Sequence, residues 1–236
     1  MYFGLSEDQI FFQDNVKKFL EDNAPLDAVK KITEGAGLST KDELHQGLIN
    51  LGINNILIPE ENGGLGLDLL FASAVSQSLG EGIATLPFVG PYVIAPIAIK
   101  YGASDSQKEK LFNEMSQNLI NCGVGFSEYF GSRDSSDLSI SNNKITGRTL
   151  FVLDVDFASH VMLCDKKGQI GLVSLDSKGI KMIDLTTVDK TRTYKEMIFK
   201  DTPIEILDRT KTSTEAAEMA LSAGRIVAAA DSLGAS

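Results

Sequence analysis

The residues with the densest potential for chemistry lie between Asn121 and Asp134, in the run Asn-Cys-Gly-Val-Gly-Phe-Ser-Glu-Tyr-Phe-Gly-Ser-Arg-Asp. Gly123 and Gly125 keep a short apolar segment free of side chains, which allows another backbone or a flat ligand to come close. Ser127, Glu128, Ser132, Arg133 and Asp134 then bring hydroxyls, carboxylates and one guanidinium into a turn that also offers backbone donors. Such a turn can hold an anion or a polar ring. An ordinary connection from a helix to a strand uses the same residue types, and this stretch taken alone leaves both readings open.

Elsewhere chemistry-bearing residues are sparse. The two histidines, His45 and His160, and the two cysteines, Cys122 and Cys164, show no spacing that would give a structural zinc its ligands. Both cysteines sit in apolar runs, as the reduced thiols of a cytosolic protein do, and the expected location is cytoplasmic. His45 falls beside the apolar face of a helix, where a surface or internally bonded histidine is the ordinary case. The loop Glu60-Glu61-Asn62-Gly63-Gly64-Leu65-Gly66 precedes a helix and invites a phosphate-cradle reading. Its two acidic residues oppose an anion, and neither the dinucleotide nor the P-loop spacing is present, so it reads as a structural turn.

The elements that must position these residues follow from patterning. Lys and Arg number 22 against 32 Asp and Glu, a net charge of −10 that opposes a nucleic-acid backbone or an anionic bilayer. The 43% hydrophobic content is enough for a core and excludes a largely disordered chain. No basic region followed by an apolar core opens the chain, so no signal peptide is expected. The most apolar run, Pro87 to Ile99, is too short to span a bilayer and carries three prolines, which predicts a buried helix and no membrane insertion.

Capping boxes at Ser6/Gln9, Thr40/Glu43 and Ser104/Gln107 predict helix starts, and Val29 with Ile32 predicts a short helix between the first two. After Asp134, Leu138–Ile140, 144–153, 161–164, 170–175, 180–183, 194–199 and 204–206 read as strands, and from Thr212 the period is helical again. The pattern predicts an α+β chain: an N-terminal helical bundle over 1–118, a middle antiparallel β-barrel or sandwich over 119–208, and the start of a C-terminal helical bundle over 209–236. Helical patterning runs to Ser236 without a cap, as at a truncation.

This order, with several local motifs, resembles the acyl-CoA dehydrogenase family. Ile58-Pro59-Glu60-Glu61-Asn62-Gly63-Gly64-Leu65-Gly66 is similar to the family's Val-Pro-Glu-x-x-Gly-Gly-x-Gly segment, and Tyr101-Gly102 with Gln107-Lys108 to its Gly-x-x-x-Gln-Lys stretch. Phe126-Ser127-Glu128 with Gly131 to Asp134 resembles a degenerate Leu-Thr-Glu-Pro-x-x-Gly-Ser-Asp. Gly147-Arg148-Thr149-Leu150-Phe151-Val152 resembles Gly-x-Lys-x-Trp-Ile, Asp189 to Arg192 a later Asp-x-x-Arg, and Arg225 with Ala229 and Gly234 the first helix of the last bundle.

The resemblance implies FAD as cofactor. Val124, Phe126 and Ser127 would contact the flavin, Phe151 and Val152 would flank its other side, Leu153 would lie beside flavin N5, and Ser132 and Arg133 would meet the pyrophosphate. It implies an acyl-CoA substrate, loss of an α-proton to a carboxylate with hydride transfer to the flavin, electron-transfer flavoprotein as acceptor, and a homo- or hetero-oligomer. The usual base falls beyond Ser236 or in a partner chain, and the alternative base position corresponds to Gly224. Tyr129 replaces the motif's proline and Leu153 its hydroxyl residue. These departures point to a divergent subunit, with a non-catalytic partner of a heteromeric dehydrogenase, or a related flavin oxidase or monooxygenase, as the competing expectations.

Overall fold

A computed structural model of the chain describes residues 4–35, 38–131 and 137–236, with the backbone alone for 38–40. The first half is helical. Helix α1 (Glu7–Asn23) opens on the expected reciprocal cap, in which Gln9 N–H donates to Ser6 Oγ and Ser6 N–H donates to Gln9 Oε1 at 2.8 Å. Helix α2 spans Leu26–Thr33, and α3 spans Leu38–Asn50. Because Leu38 and Ser39 already have helical backbone, Thr40 is an interior residue of α3 and not the cap expected there. Helix α4 (Leu69–Glu81) is capped by the Asp68 carboxylate, which accepts from Phe71 N–H at 2.9 Å.

The apolar stretch after α4 departs from the single helix expected. It begins as a π-helical turn, Val89–Ile94, and becomes α5 only over Ala95–Gly102. Pro91 and Pro96 have no amide to give to a continuous i→i−4 ladder, and the wider turn removes the need for one. Helix α6 (Asp105–Ser116) starts on the second reciprocal cap, Ser104 with Gln107, and α7 spans Glu215–Gly234. Among the described residues no helix is long and apolar enough to cross a membrane.

Eight strands lie between α6 and α7: β1 (Cys122–Gly125), β2 (Ser139–Ser141), β3 (Lys144–Leu153), β4 (His160–Cys164), β5 (Ile170–Ser174), β6 (Ile180–Leu185), β7 (Tyr194–Pro203) and β8 (Glu205–Ile206). They form one sheet in the order β6-β7-β3-β1-β4-β5-β8, with β2 added to β3. The α+β class holds. The sheet is mixed, however, because β1 pairs with β4 in parallel while every other described pairing is antiparallel. The chain leaves β1, makes the β2–β3 hairpin and crosses back before β4, so it arrives running in the direction of β1. The path stays open, with β6 and β8 at its two ends.

Burial joins the two halves. One apolar cluster gathers Val16, Leu48, Val75, Phe88 and Val93 with Val227 of α7, and another runs from Ile94, Ile99 and Leu111 through Val124, Met162 and Ile170 to Ala217 and Leu221. A third lies within the sheet, around Ile145, Val152, Val161, Leu163 and Phe199. Helix α7 crosses α4 at very short range: a Cβ on Gly80 would stand 2.0 Å from the Asp231 carbonyl oxygen, and one on Gly234 1.9 Å from that of Gln77. That approach turns one flank of α7 toward β1 and β3.

Candidate functional site

Between that flank, the strands and the π-helical turn lies a cleft of about 400 Å³. Its strand wall carries Val124, Phe126, Ser127, Phe151 and Leu153, its helix wall Leu221, Gly224, Arg225 and Ala228, and its base Val89 and Ile94; Phe130 and Tyr194 complete the rim. Val124 is paired with Leu153 across the β1–β3 ladder, so their side chains share a face. Five residues that the flavin resemblance singles out are thereby brought together. Val152 is not among them: alternation along β3 sends it to the opposite face, into the sheet core with Ile145 and Leu163. Ser132 and Arg133 lie outside the described residues.

Phe151 reaches the cleft through a backbone irregularity. The β3–β7 register slips between Thr149 and Val152, and Phe151 takes a positive φ of 53° within that bulge. The residue is half exposed, and its ring meets that of Tyr194, the first residue of β7, in a T-shaped contact at a centroid distance of 6.3 Å. Gly123 and Gly125 do not line the cleft. A Cβ on Gly123 would stand 2.9 Å from the Leu153 carbonyl oxygen and one on Gly125 2.8 Å from Leu163 Cδ2, so these glycines admit neighbouring strands and not a ligand.

The turn after β1 is tied to both walls. Ser127 donates to the Leu150 carbonyl at 2.5 Å and lies 3.2 Å from Thr149 Oγ1, fixing the turn to β3. Tyr129 donates to Glu218 at 3.5 Å, and the Arg225 guanidinium stands 5.2 Å from the centre of the Phe130 ring, fixing the turn to α7. Among the described lining residues Arg225 is the one cation, and no carboxylate faces the cleft.

A polar layer lies behind the base of the cleft. Asp154 follows Leu153 in a left-handed conformation (φ 60°, ψ 26°), buried against Gly90, whose Cβ, if present, would stand 3.0 Å from Asp154 Oδ2. Burial pushes the Asp154 carboxyl up to about 6, with Arg192 and Lys41 opposing the shift. Tyr92, in the same π-helical turn, is held well above its ordinary value by burial and then by Asp154. Its hydroxyl is 2.8 Å from His45 Nε2, and the imidazole, lowered by burial, packs 4.5 Å from the Phe157 ring. His45 is thus an internally bonded histidine.

The remaining candidates are structural. In the glycine-rich loop Gly64 N–H donates to the Pro59 carbonyl and Gly66 N–H to that of Ile58, so these amides are turned inward. A Cβ on Gly64 would stand 2.0 Å from the Ile58 carbonyl oxygen. Both thiols are free and buried, and burial pushes Cys122 up to about 12. Motif reading missed Ile94, Tyr194 and Leu221, which reach the cleft only through tertiary packing; the proline-rich start of α5 and the small-residue stripe of α7 were the available signals.

Residues 6–118 match the family model of the acyl-CoA dehydrogenase N-terminal domain. No curated protein sequence matches the chain. Among solved structures, the glutaryl-coenzyme A dehydrogenase glutaryl-CoA complex superposes with a TM-score of 0.81 at 19% identity, covering 99% of this chain and 65% of that one. The acyl-CoA dehydrogenase of Bacillus anthracis complexed with FAD gives 0.81 at 16% identity over 98% of this chain and 42% of its own. The ChsE4-ChsE5 complex of Mycobacterium tuberculosis gives 0.72 at 12% identity over 94% and 61%. At these identities the likeness is one of fold, and the chain spans less than two thirds of each structure. Residues 6–118 thus resemble the acyl-CoA dehydrogenase N-terminal domain in sequence, and nearly the whole chain shares the fold of solved acyl-CoA dehydrogenases.

Proposed function

We propose that the cleft takes the isoalloxazine ring of FAD and that the chain serves the α,β-dehydrogenation of an acyl-CoA thioester. The observation that carries this reading is the convergence of Val124, Phe126, Ser127, Phe151 and Leu153, drawn from two separated motifs, on one cleft. A flat ring with apolar faces and a polar edge suits these residues. The cleft volume of about 400 Å³ falls in the range of small-molecule sites, four of the five side chains are apolar, and Ser127 supplies a polar atom at the rim. The pyrophosphate would fall to Ser132 and Arg133.

Bound FAD would supply the hydride acceptor. The chain's own part is placement and exclusion of water: Phe151 and Leu153 cover the strand side, Val89 and Leu221 close the helical side, and Ser127, donating to the Leu150 carbonyl, is held at the polar rim. Among the described lining residues Arg225 is the cation that an anionic group would meet. In the same reading the chain divides at 118 and 208, an electron-transfer flavoprotein removes the electrons, and the subunit works in a homo- or hetero-oligomer.

One observation favours the competing reading, a non-catalytic partner of a heteromeric dehydrogenase. The space beside Gly224, the alternative base position, is filled by Ile94, and no described lining residue is a carboxylate. In either case the α-proton acceptor comes from residues beyond those described or from a second chain.

FAD titration with flavin fluorescence as readout tests the cofactor assignment: saturable quenching is expected, and Leu153→Glu, which places a charge on the apolar wall, should abolish it. Absence of quenching in the unaltered chain would sink the proposal. Reduction of a dye by acyl-CoA without oxygen uptake separates the dehydrogenase from an oxidase.

A further inference from the structure

A buried carboxylate stands directly behind the apolar wall of the cleft. Asp154 follows Leu153, the last residue of β3, and its side chain is not part of the cleft lining but packs against the π-helical turn. The point a Cβ on Gly90 would occupy is 3.0 Å from Asp154 Oδ2 and 3.5 Å from both Cβ and Cγ2 of Val124, so the carboxylate and a cleft-lining side chain close on the same spot. Asp154 is 8% exposed, and among the described residues no hydrogen bond or ion pair closes on its carboxylate.

Charged and titratable groups face it from every neighbouring element. Burial pushes the carboxyl up, Arg192 and then Lys41 of α3 oppose the shift, and Asp156 adds to it. Both cations are shared, Lys41 with Asp156 and Arg192 with Asp231 of α7, and Asp156 is held by Lys195 of β7 at 2.8 Å. His45 of α3 and Tyr92 of the π-helical turn bond each other at 2.8 Å. Tyr194, at the cleft rim, is raised by burial first and then by Asp189, with Asp154 adding to that shift against Arg192. The Asp154 charge therefore reaches the cleft, and the shared cations leave its carboxyl at about 6.

We propose that Asp154 couples a solvent proton to the charge of the ring in the cleft: its carboxylate is ionised beside a neutral ring and takes up a proton once that ring has accepted a hydride. The inference rests on the flavin reading and assigns that site its proton coupling, separate from removal of the substrate's α-proton. A hydride carries two electrons and one proton, so it leaves one negative charge on the ring. Asp154 then takes a second proton from water and becomes neutral, because two like charges across a dry apolar layer repel with little screening. By linkage, the ionised carboxylate weakens binding of the reduced ring and leaves that of the neutral ring nearly unchanged. Asp154 touches no reacting atom and is a positioning residue that acts through its charge.

The test is a redox titration of the FAD-loaded whole chain and of Asp154→Asn between about pH 5 and pH 8, read as protons taken up per two electrons. Above about pH 6 the unaltered chain is expected to take up as much as one proton more than Asp154→Asn. At about pH 8, reduced FAD should bind Asp154→Asn about tenfold more tightly than it binds the unaltered chain, the equivalent of one pKa unit of coupling, while oxidised FAD should differ by less than about twofold. Equal proton counts and equal affinities for reduced FAD in the two proteins overturn the coupling. Should Asp154→Asn fail to fold, the carbon-13 resonance of the Asp154 carboxyl in the unaltered chain decides: its titration must move to higher pH when the bound FAD is reduced, and a midpoint that stays in place overturns the coupling. If FAD binds neither protein, the flavin reading itself fails and takes the coupling with it.

Discussion

The two walls of the cleft are built by opposite means. The strand wall is shaped by unusual backbone, a bulge that turns Phe151 outward at φ 53° and a left-handed Asp154 that ends β3. The helix wall is shaped by missing side chains, with Gly224 beneath Ile94 and, further along where α7 crosses α4, Gly234 of α7 and Gly80 of α4 beneath facing carbonyls. A wall made by backbone conformation accepts a change of side chain as long as the conformation is kept. A wall made by omission refuses even a methyl group, because the facing atoms already occupy its place at crystal-like density.

The contrast is broken most directly at Gly80. A Cβ 2.0 Å from the Asp231 carbonyl oxygen forces α4 and α7 apart, so Gly80→Ala should cost about 3 kcal/mol or more in urea unfolding. A loss under about 1 kcal/mol would show that the helix wall yields as readily as the strand wall.

Asp154 gives an effect of similar size that depends on pH. Its carboxyl stands at about 6 in the fold against an ordinary 3.8. The folded chain keeps that proton where the unfolded chain has lost it, so the stabilisation is complete below pH 4 and is lost as pH rises through 6. Asp154→Asn cannot ionise, and between pH 4 and 7 the unaltered chain should lose up to about 3 kcal/mol relative to it. Parallel stability curves for the two proteins would remove Asp154 from the account.

The smallest effect is expected at Phe151. Glycine adopts positive φ without strain, so in Phe151→Gly about 1 kcal/mol of backbone relief offsets a ring contact with Tyr194 of comparable worth. Thermal unfolding should shift little while flavin quenching falls. A loss above about 2 kcal/mol would show that the ring, and not the bulge, builds the strand wall.

What was legible in the sequence follows the same division. Ser6 with Gln9, Ser104 with Gln107 and the hairpin around Asn142 and Asn143 announce themselves through local hydrogen-bonding rules, and each forms where expected. The grouping of Val124, Phe126, Ser127, Phe151 and Leu153 was reachable through motif resemblance. Treating Phe151 and Val152 as neighbours on one face ignored the alternation that carries Val152 into the core. The π-helical turn was not legible, since a proline-bearing apolar run carries the same pattern whichever helix type it enters. Nor were Ile94 and Tyr194 as cleft residues, because no local pattern says which flank of α7 will meet which strand. The parallel β1–β4 pairing depends on a crossover that short-range alternation does not encode.

That pairing also fixes an order of assembly. Strand β1 lies between β3 and β4, both later in the chain, so no residue before it can complete its ladder. During synthesis the β1 ladder stays incomplete until β4 has emerged, even once β3 is available, and closing contacts over such a sequence separation is slow compared with forming the helices ahead of it. Cys122, inert once buried, is open to solvent throughout that interval. Its thiol is therefore a natural clock for the moment at which the sheet closes.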